Sequence, residues 1–145
     1  MTLPALVTVT TGGVSANEAA PQDGISVSAD GTLVAFVSGS PNLVAGDTNG
    51  VRYVFVRNLV TGTTTRASLG AGGQANGASS NARISADGRL VVFTSLATNL
   101  VAGDTNQTVD VFLYDRLAQT TTRVSAGPGG VNANSKSFGP TLSAD

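Results

Sequence analysis

The chain contains no cysteine, no histidine and no tryptophan, and only one methionine. Without cysteine there are no disulfides, no thiolate zinc sites and no thiol nucleophile. Without histidine the usual general base and the commonest neutral metal ligand are both missing. Glu18 is the only glutamate and Lys136 the only lysine, so the paired acids of glycosidase chemistry cannot be assigned. Charged residues make up 12% of the chain and the formal net charge is −1, which leaves no basic stripe to neutralise a phosphate backbone. Nucleic acid is therefore not an expected partner. No apolar run approaches the roughly 18 residues that a membrane helix needs, so the chain is not expected to span a membrane, although docking on a membrane complex stays open. The first basic residue is Arg52, and residues 1–20 lack the charged start of a signal peptide. Surface positions filled by Thr, Ser, Gly and Asn favour a periplasmic or extracellular location.

What the chain does have is an internal copy. Ser28-Ala29-Asp30-Gly31 returns as Ser85-Ala86-Asp87-Gly88, a spacing of 57 residues, and 26 of the 46 positions compared from there to Gly73 and Gly130 are identical. The longest shared run is Asn42-Leu43-Val44-Ala45-Gly46-Asp47-Thr48-Asn49 against Asn99-Leu100-Val101-Ala102-Gly103-Asp104-Thr105-Asn106. Tandem copies of this length build arrays in which each unit leans on its neighbours.

Each copy reads as four short strands, and no helical period occurs anywhere. In the first copy these are residues 25–28, 33–37, 53–57 and 63–68. The second run is apolar on both faces, as an inner strand must be, while Thr63-Thr64-Thr65-Arg66 is polar and belongs outermost. Asp-Gly between the first two runs favours a tight reversal, because Gly accepts positive φ at little cost. Residues 5–11 read as the last strand of a preceding unit, and 138–143 as the first strand of a further one. The fold class expected is all-β: a partial β-propeller of two complete four-stranded antiparallel blades plus flanking strands from incomplete blades. The boundaries are 1–23 for the end of a preceding blade, 24–80 and 81–137 for the two blades with their connections, and 138–145 for the start of another.

Taken together, Ser-Ala-Asp-Gly, Leu-Val-Ala-Phe-Val-Ser, Asn-Leu-Val-Ala-Gly-Asp-Thr-Asn, Val-Phe-Val-Arg and Thr-Gly-Thr-Thr-Thr-Arg resemble the repeat of TolB-type β-propellers, over about residues 24–145. The resemblance implies a scaffold in bacterial envelope or extracellular proteins that binds other macromolecules, and it carries no catalytic set. Family propellers close into rings; four blades of 57 residues already exceed 145, so this chain alone does not close. Its open blade ends are where other protein chains are expected to dock.

Two readings compete at the octapeptide loops. Asp47 and Asn49, and Asp104, Asn106 and Asp110, place oxygen side chains two residues apart ahead of a strand, in the manner of a calcium loop. Alternatively these residues cap their own backbone in Asx-turns. The copies differ, with Tyr53 standing where the second has Asp110 and Gln107 where the first has Gly50. No cofactor is expected beyond that one candidate ion. Ser28 and Ser85 lie near an acid, yet no base is present to activate a hydroxyl, so they read as turn formers. Arg66 and Arg123 either pair with a nearby Asp or lie along the outer sheet. The leading expectation is a non-enzymatic protein-binding scaffold or structural subunit of a larger protein or assembly. A calcium-binding extracellular adhesion module and the accessory propeller of a larger hydrolase are the alternatives.

Overall fold

The computed structural model describes residues 7–17, 24–70 and 72–143. The described residues form ten strands and one short 3-10 turn, Pro128–Gly130, with no α-helix among them. The chain is all-β.

The first copy folds into an antiparallel sheet of β1 (Ser26–Val27), β2 (Leu33–Ser38), β3 (Tyr53–Asn58) and β4 (Thr63–Arg66), in chain order across the sheet. A two-stranded hairpin follows, β5 (Leu69–Gly70) with β6 (Gly73–Gln74). The second copy repeats the four-stranded sheet with β7 (Ser79–Ile84), β8 (Leu90–Ser95), β9 (Asp110–Asp115) and β10 (Thr120–Arg123). Neither four-stranded sheet closes on itself.

The first reversal in each sheet is built by Ser-Ala-Asp-Gly. Ser28 Oγ donates to Asp30 at 2.6 Å, accepts the Leu33 amide at 3.0 Å, and leaves the Asp30 carboxylate to take the Thr32 amide at 3.0 Å. Ser85 and Asp87 repeat this, with Leu90 and Arg89 as the amide donors. Gly31 and Gly88 sit at φ 72° and 73°, where a Cβ is disfavoured. The serine hydroxyl is the chief reason that the Asp30 and Asp87 carboxyls are held below the usual carboxylate value, helped by the amides of Thr32 and Arg89. These serines are thus turn formers.

Register explains the core. Phe36 faces Phe55 across β2 and β3, and their rings stack with centroids 5.6 Å apart; Phe93 faces Phe112 across β8 and β9 at 5.9 Å. All four rings are fully buried. The two sheets share one hydrophobic cluster, because β7 packs against β1, β2 and β3. Backbone bonds fix that seam: the Ala29 amide donates to the Ala86 carbonyl at 2.9 Å and the Ser79 amide to the Arg52 carbonyl at 2.8 Å. The Ile84 amide adds a bond to Ser26 Oγ at 3.1 Å.

Three expectations from the sequence are corrected. Of residues 5–11, positions 5 and 6 lie outside the described residues, and the rest enters a hairpin with a single bridge, Val9 to Ser15, instead of a strand. The hairpin keeps backbone bonds of its own, from the Thr10 amide to the Val14 carbonyl at 2.9 Å and from the Ala16 amide to the Thr8 carbonyl at 2.8 Å, and Arg57 and Thr64 tie it to the first sheet. The strand over 63–68 ends at Arg66, because Ser68 Oγ takes the Val54 amide at 2.9 Å and the chain turns into the β5–β6 hairpin. Residues 138–143 form no strand: Gly139 at φ 64° and Pro140, which has no amide proton, break the ladder that the Ser137 amide begins at the Val109 carbonyl.

The copies also differ at one turn. Asn58 and Asp115 cap the β3–β4 and β9–β10 connections alike, but position four of the turn is Gly62 at φ 69° in one and Gln119 at φ 54° in the other. A side chain there strains the backbone. Replacing Gln119 by Gly should raise stability by about 0.5–1 kcal/mol in urea denaturation, the relief exceeding the added freedom of the unfolded chain.

Candidate functional site

The octapeptide loops, residues 42–49 and 99–106, connect β2 to β3 and β8 to β9, and each holds two connecting segments at once. The first asparagine clasps the segment that leads into its own sheet. Asn42 accepts the Asn17 amide at 3.0 Å and donates to the Ser15 carbonyl at 2.8 Å. Asn99 does the same to Asn76, at 3.0 Å, and to Gln74, at 2.8 Å. The last asparagine clasps the segment that leaves the sheet: Asn49 donates to the Ala75 carbonyl at 2.8 Å and Asn106 to the Ala133 carbonyl at 3.1 Å. Ser15-Ala16-Asn17, Gln74-Ala75-Asn76 and Asn132-Ala133-Asn134 are therefore one connector written three times.

A buried ion pair holds each loop in position. Arg66 Nη2 lies 3.2 Å from Asp47 Oδ2, with side chains 6% and 1% exposed, and Arg123 Nη1 lies 3.2 Å from Asp104 Oδ1, at 6% and 2%. The first pair meets by charge more than by aligned hydrogen bonds, since both Asp47 oxygens and Arg66 Nη2 are left without one. Its guanidinium also stacks on Tyr53, 4.0 Å from the ring centroid. The Tyr53 hydroxyl reaches Asn49 Oδ1 at 3.1 Å and the Ala75 carbonyl at 3.2 Å, tying pair, loop and connector together.

The second copy puts a carboxylate where that phenol stands. Asp110 is fully buried; it accepts from Ser125 Oγ at 2.5 Å and from Asn106 Nδ2 at 2.9 Å. The second site thus holds two buried carboxylates, of which Asp104 alone pairs with a guanidinium. Burial foremost, and then repulsion from Asp110, push the Asp104 carboxyl above the usual carboxylate value, against the pull of Arg123.

Of the calcium candidates, Asp47 and Asn49 fall in the first loop and Asp104, Asn106 and Asp110 in the second, so the structure brings them together as two equivalent clusters. In each cluster a guanidinium already stands beside the loop aspartate, and the asparagine turns its amide nitrogen toward an acceptor. Among the described residues there is no group of three or more His, Cys, Asp or Glu that could hold a metal ion. The Asx-turn reading is present in part: Asn106 Oδ1 accepts the Thr108 amide at 3.2 Å. Asn42 and Asn99, which do most of the clasping, were not singled out from the sequence; their signal was the invariance of the octapeptide from its first residue. A scan of the chain against protein-family models finds no match, and no curated protein matches it. No helix among the described residues is long and apolar enough to cross a membrane.

Two outcomes follow from this geometry. Asn99→Ala removes both bonds to the connector and should cost about 1–2 kcal/mol, with faster hydrogen exchange at the Asn76 amide and little change at Asn17. The folded state holds the Asp104 proton more tightly than the unfolded chain does, so this group favours the fold below the ordinary carboxyl value of 3.8 and loses that contribution as pH rises through its raised value. Asp110→Asn should move the Asp104 titration, followed by carboxyl NMR, back toward 3.8.

Proposed function

We propose that the chain is a non-enzymatic protein-binding scaffold, a piece of a TolB-like propeller array in a bacterial periplasmic or extracellular assembly, whose partners sit on the far face of the second sheet. The observation that carries this reading is the mismatch between equivalent residues. Ala67, beside the seam between the sheets, is 1% exposed, while its counterpart Val124 is 54% exposed. Val131 and Phe138 are bare on the same stretch of chain, both at 65%.

Two glycines sharpen the comparison. At Gly70 an added Cβ would lie 2.5 Å from the Asn99 carbonyl oxygen, so the close approach of the second sheet requires glycine. Its counterpart Gly127 has φ −72° and meets only Val131, at 3.7 Å. Neither conformation nor crowding within the chain calls for glycine there; an approaching protein surface does.

Light scattering across a concentration series, with an apolar-surface dye, tests the reading. The chain should bind the dye and exceed its 14.4 kDa monomer mass as concentration rises. Val124→Lys or Gly127→Leu should each restore the monomer without altering the far-UV spectrum. A monodisperse monomer that binds no dye overturns it.

A further inference from the structure

Residues 10–17 and 127–134 are one turn made twice. Gly12-Gly13-Val14-Ser15-Ala16-Asn17 and Gly129-Gly130-Val131-Asn132-Ala133-Asn134 differ only at Ser15 and Asn132. The backbone repeats as well. The Thr10 amide donates to the Val14 carbonyl and the Gly127 amide to the Val131 carbonyl, each at 2.9 Å, and the Gly13 and Gly130 amides donate to the Thr10 and Gly127 carbonyls, each at 3.0 Å. Gly13 and Gly130 hold φ 79° and 81°.

Only the first of these turns is docked on a sheet that follows it. Asn42 accepts the Asn17 amide and donates to the Ser15 carbonyl, while Thr64 Oγ1 and Arg57 Nη1 donate to the Val9 and Thr10 carbonyls at 2.7 and 2.9 Å. In the second turn the Asn132 carbonyl and the Asn134 amide stand where those of Ser15 and Asn17 do, and neither makes a hydrogen bond among the described residues. The opposite side of the same connector is already held, since Asn106 donates to the Ala133 carbonyl at 3.1 Å, so the open groups continue an interface that the chain has begun. Gln74-Ala75-Asn76 shows that interface complete: Asn49 holds one side and Asn99 the other, and Ala75 is fully buried, whereas Ala133 is half-buried.

We propose that residues 126–134 are a docking site for the first sheet of a second copy of this chain, which takes them in exchange for its own residues 9–17. The inference rests on the scaffold reading above and names the partner at that same face. The second copy's Asn42 accepts the Asn134 amide and donates to the Asn132 carbonyl, and its Thr64 hydroxyl and Arg57 guanidinium reach the Ala126 and Gly127 carbonyls, the counterparts of Val9 and Thr10. Pro128 stands for Thr11 and brings no hydroxyl, so the bond from the Thr64 amide is not remade. This loss, and the nearness of a chain to its own hairpin, keep the exchange dependent on concentration. The connector matches the first sheet and not the second. Asn76 is followed by Gly77, where an added Cβ would lie 2.6 Å from the Ala97 backbone nitrogen of the second sheet, whereas Asn134 is followed by Ser135, as Asn17 is by Glu18. Contacts of this head-to-tail kind do not close on two copies, so species larger than a dimer form.

Light scattering of the full chain across a concentration series reads the association, and hydrogen exchange at the Asn17 amide reads release of residues 9–17. Both should rise together with concentration. An added Cβ at Gly13 or at Gly130 meets no atom within 4 Å, so a substitution at either acts through φ alone. Gly13→Val loosens the chain's own hairpin and should strengthen association about tenfold; Gly130→Val disturbs the turn on offer and should weaken it by a similar factor. The two combined should return association close to that of the unaltered chain. Association that ignores Gly13→Val, that stays raised in the double variant, or that grows while exchange at Asn17 is unchanged overturns this proposal and leaves the scaffold reading standing. A chain that remains monomeric at every concentration, with Gly13→Val as well, overturns both.

Discussion

A guanidinium set against a buried carboxylate is the constraint on which the arrangement depends. Arg66 ends β4 and Asp47 lies in the loop between β2 and β3, so their 3.2 Å approach ties the outermost strand to a loop that has no ladder of its own. Burial makes each charge costly alone, and this cost holds the loop in one position. With the loop held, Asn42 and Asn49 stand at fixed points on either side of it. They bind the connector entering the sheet and the connector leaving it. The same geometry recurs through Arg123, Asp104, Asn99 and Asn106. An isolated sheet of four short strands gains little from its own ladder, and the clasped connectors add to the shared apolar cluster and seam bonds that join one sheet to the next.

The copies share this geometry and differ in electrostatics. Tyr53 closes the first site with an aromatic face and a neutral hydroxyl, and charge balances there between Asp47 and Arg66. Asp110 closes the second with a further negative charge, which Ser125 and Asn106 solvate with hydrogen bonds. One backbone thus carries two solutions, and in the second the Asp104 carboxyl is raised by burial and by Asp110. A similar divergence separates Arg57 from Tyr114: the first is spent on the chain's own residues 9–11, and the second faces an open cleft.

Much of this was legible in the residues. The 57-residue spacing, Asp-Gly reversals and apolar runs placed β2, β3, β8 and β9 nearly to their ends, because those strands are buried on pattern alone. Thr63-Thr64-Thr65-Arg66 was placed at the sheet edge for the same reason. The hairpins at residues 9–15 and 69–74 were not legible, since they are short and glycine-rich and draw many of their bonds from side chains far along the chain. The octapeptide's oxygens suggested an ion because composition shows which atoms are present and not where they point. Asn49 and Asn106 turn their nitrogens to carbonyls about 26 residues away, a distance that no local spacing encodes.

Alternation, turn chemistry and repetition are local properties, and by themselves they determined the all-β class and the two equal sheets. The tertiary structure alone decided that the repeated loop is a clasp, that its aspartates face arginines, and that equivalent surfaces on the two sheets have different fates. The physical reason is that burial and pairing depend on what lies opposite. Two copies of one sequence can share every local preference and still differ in the neighbour that each one meets.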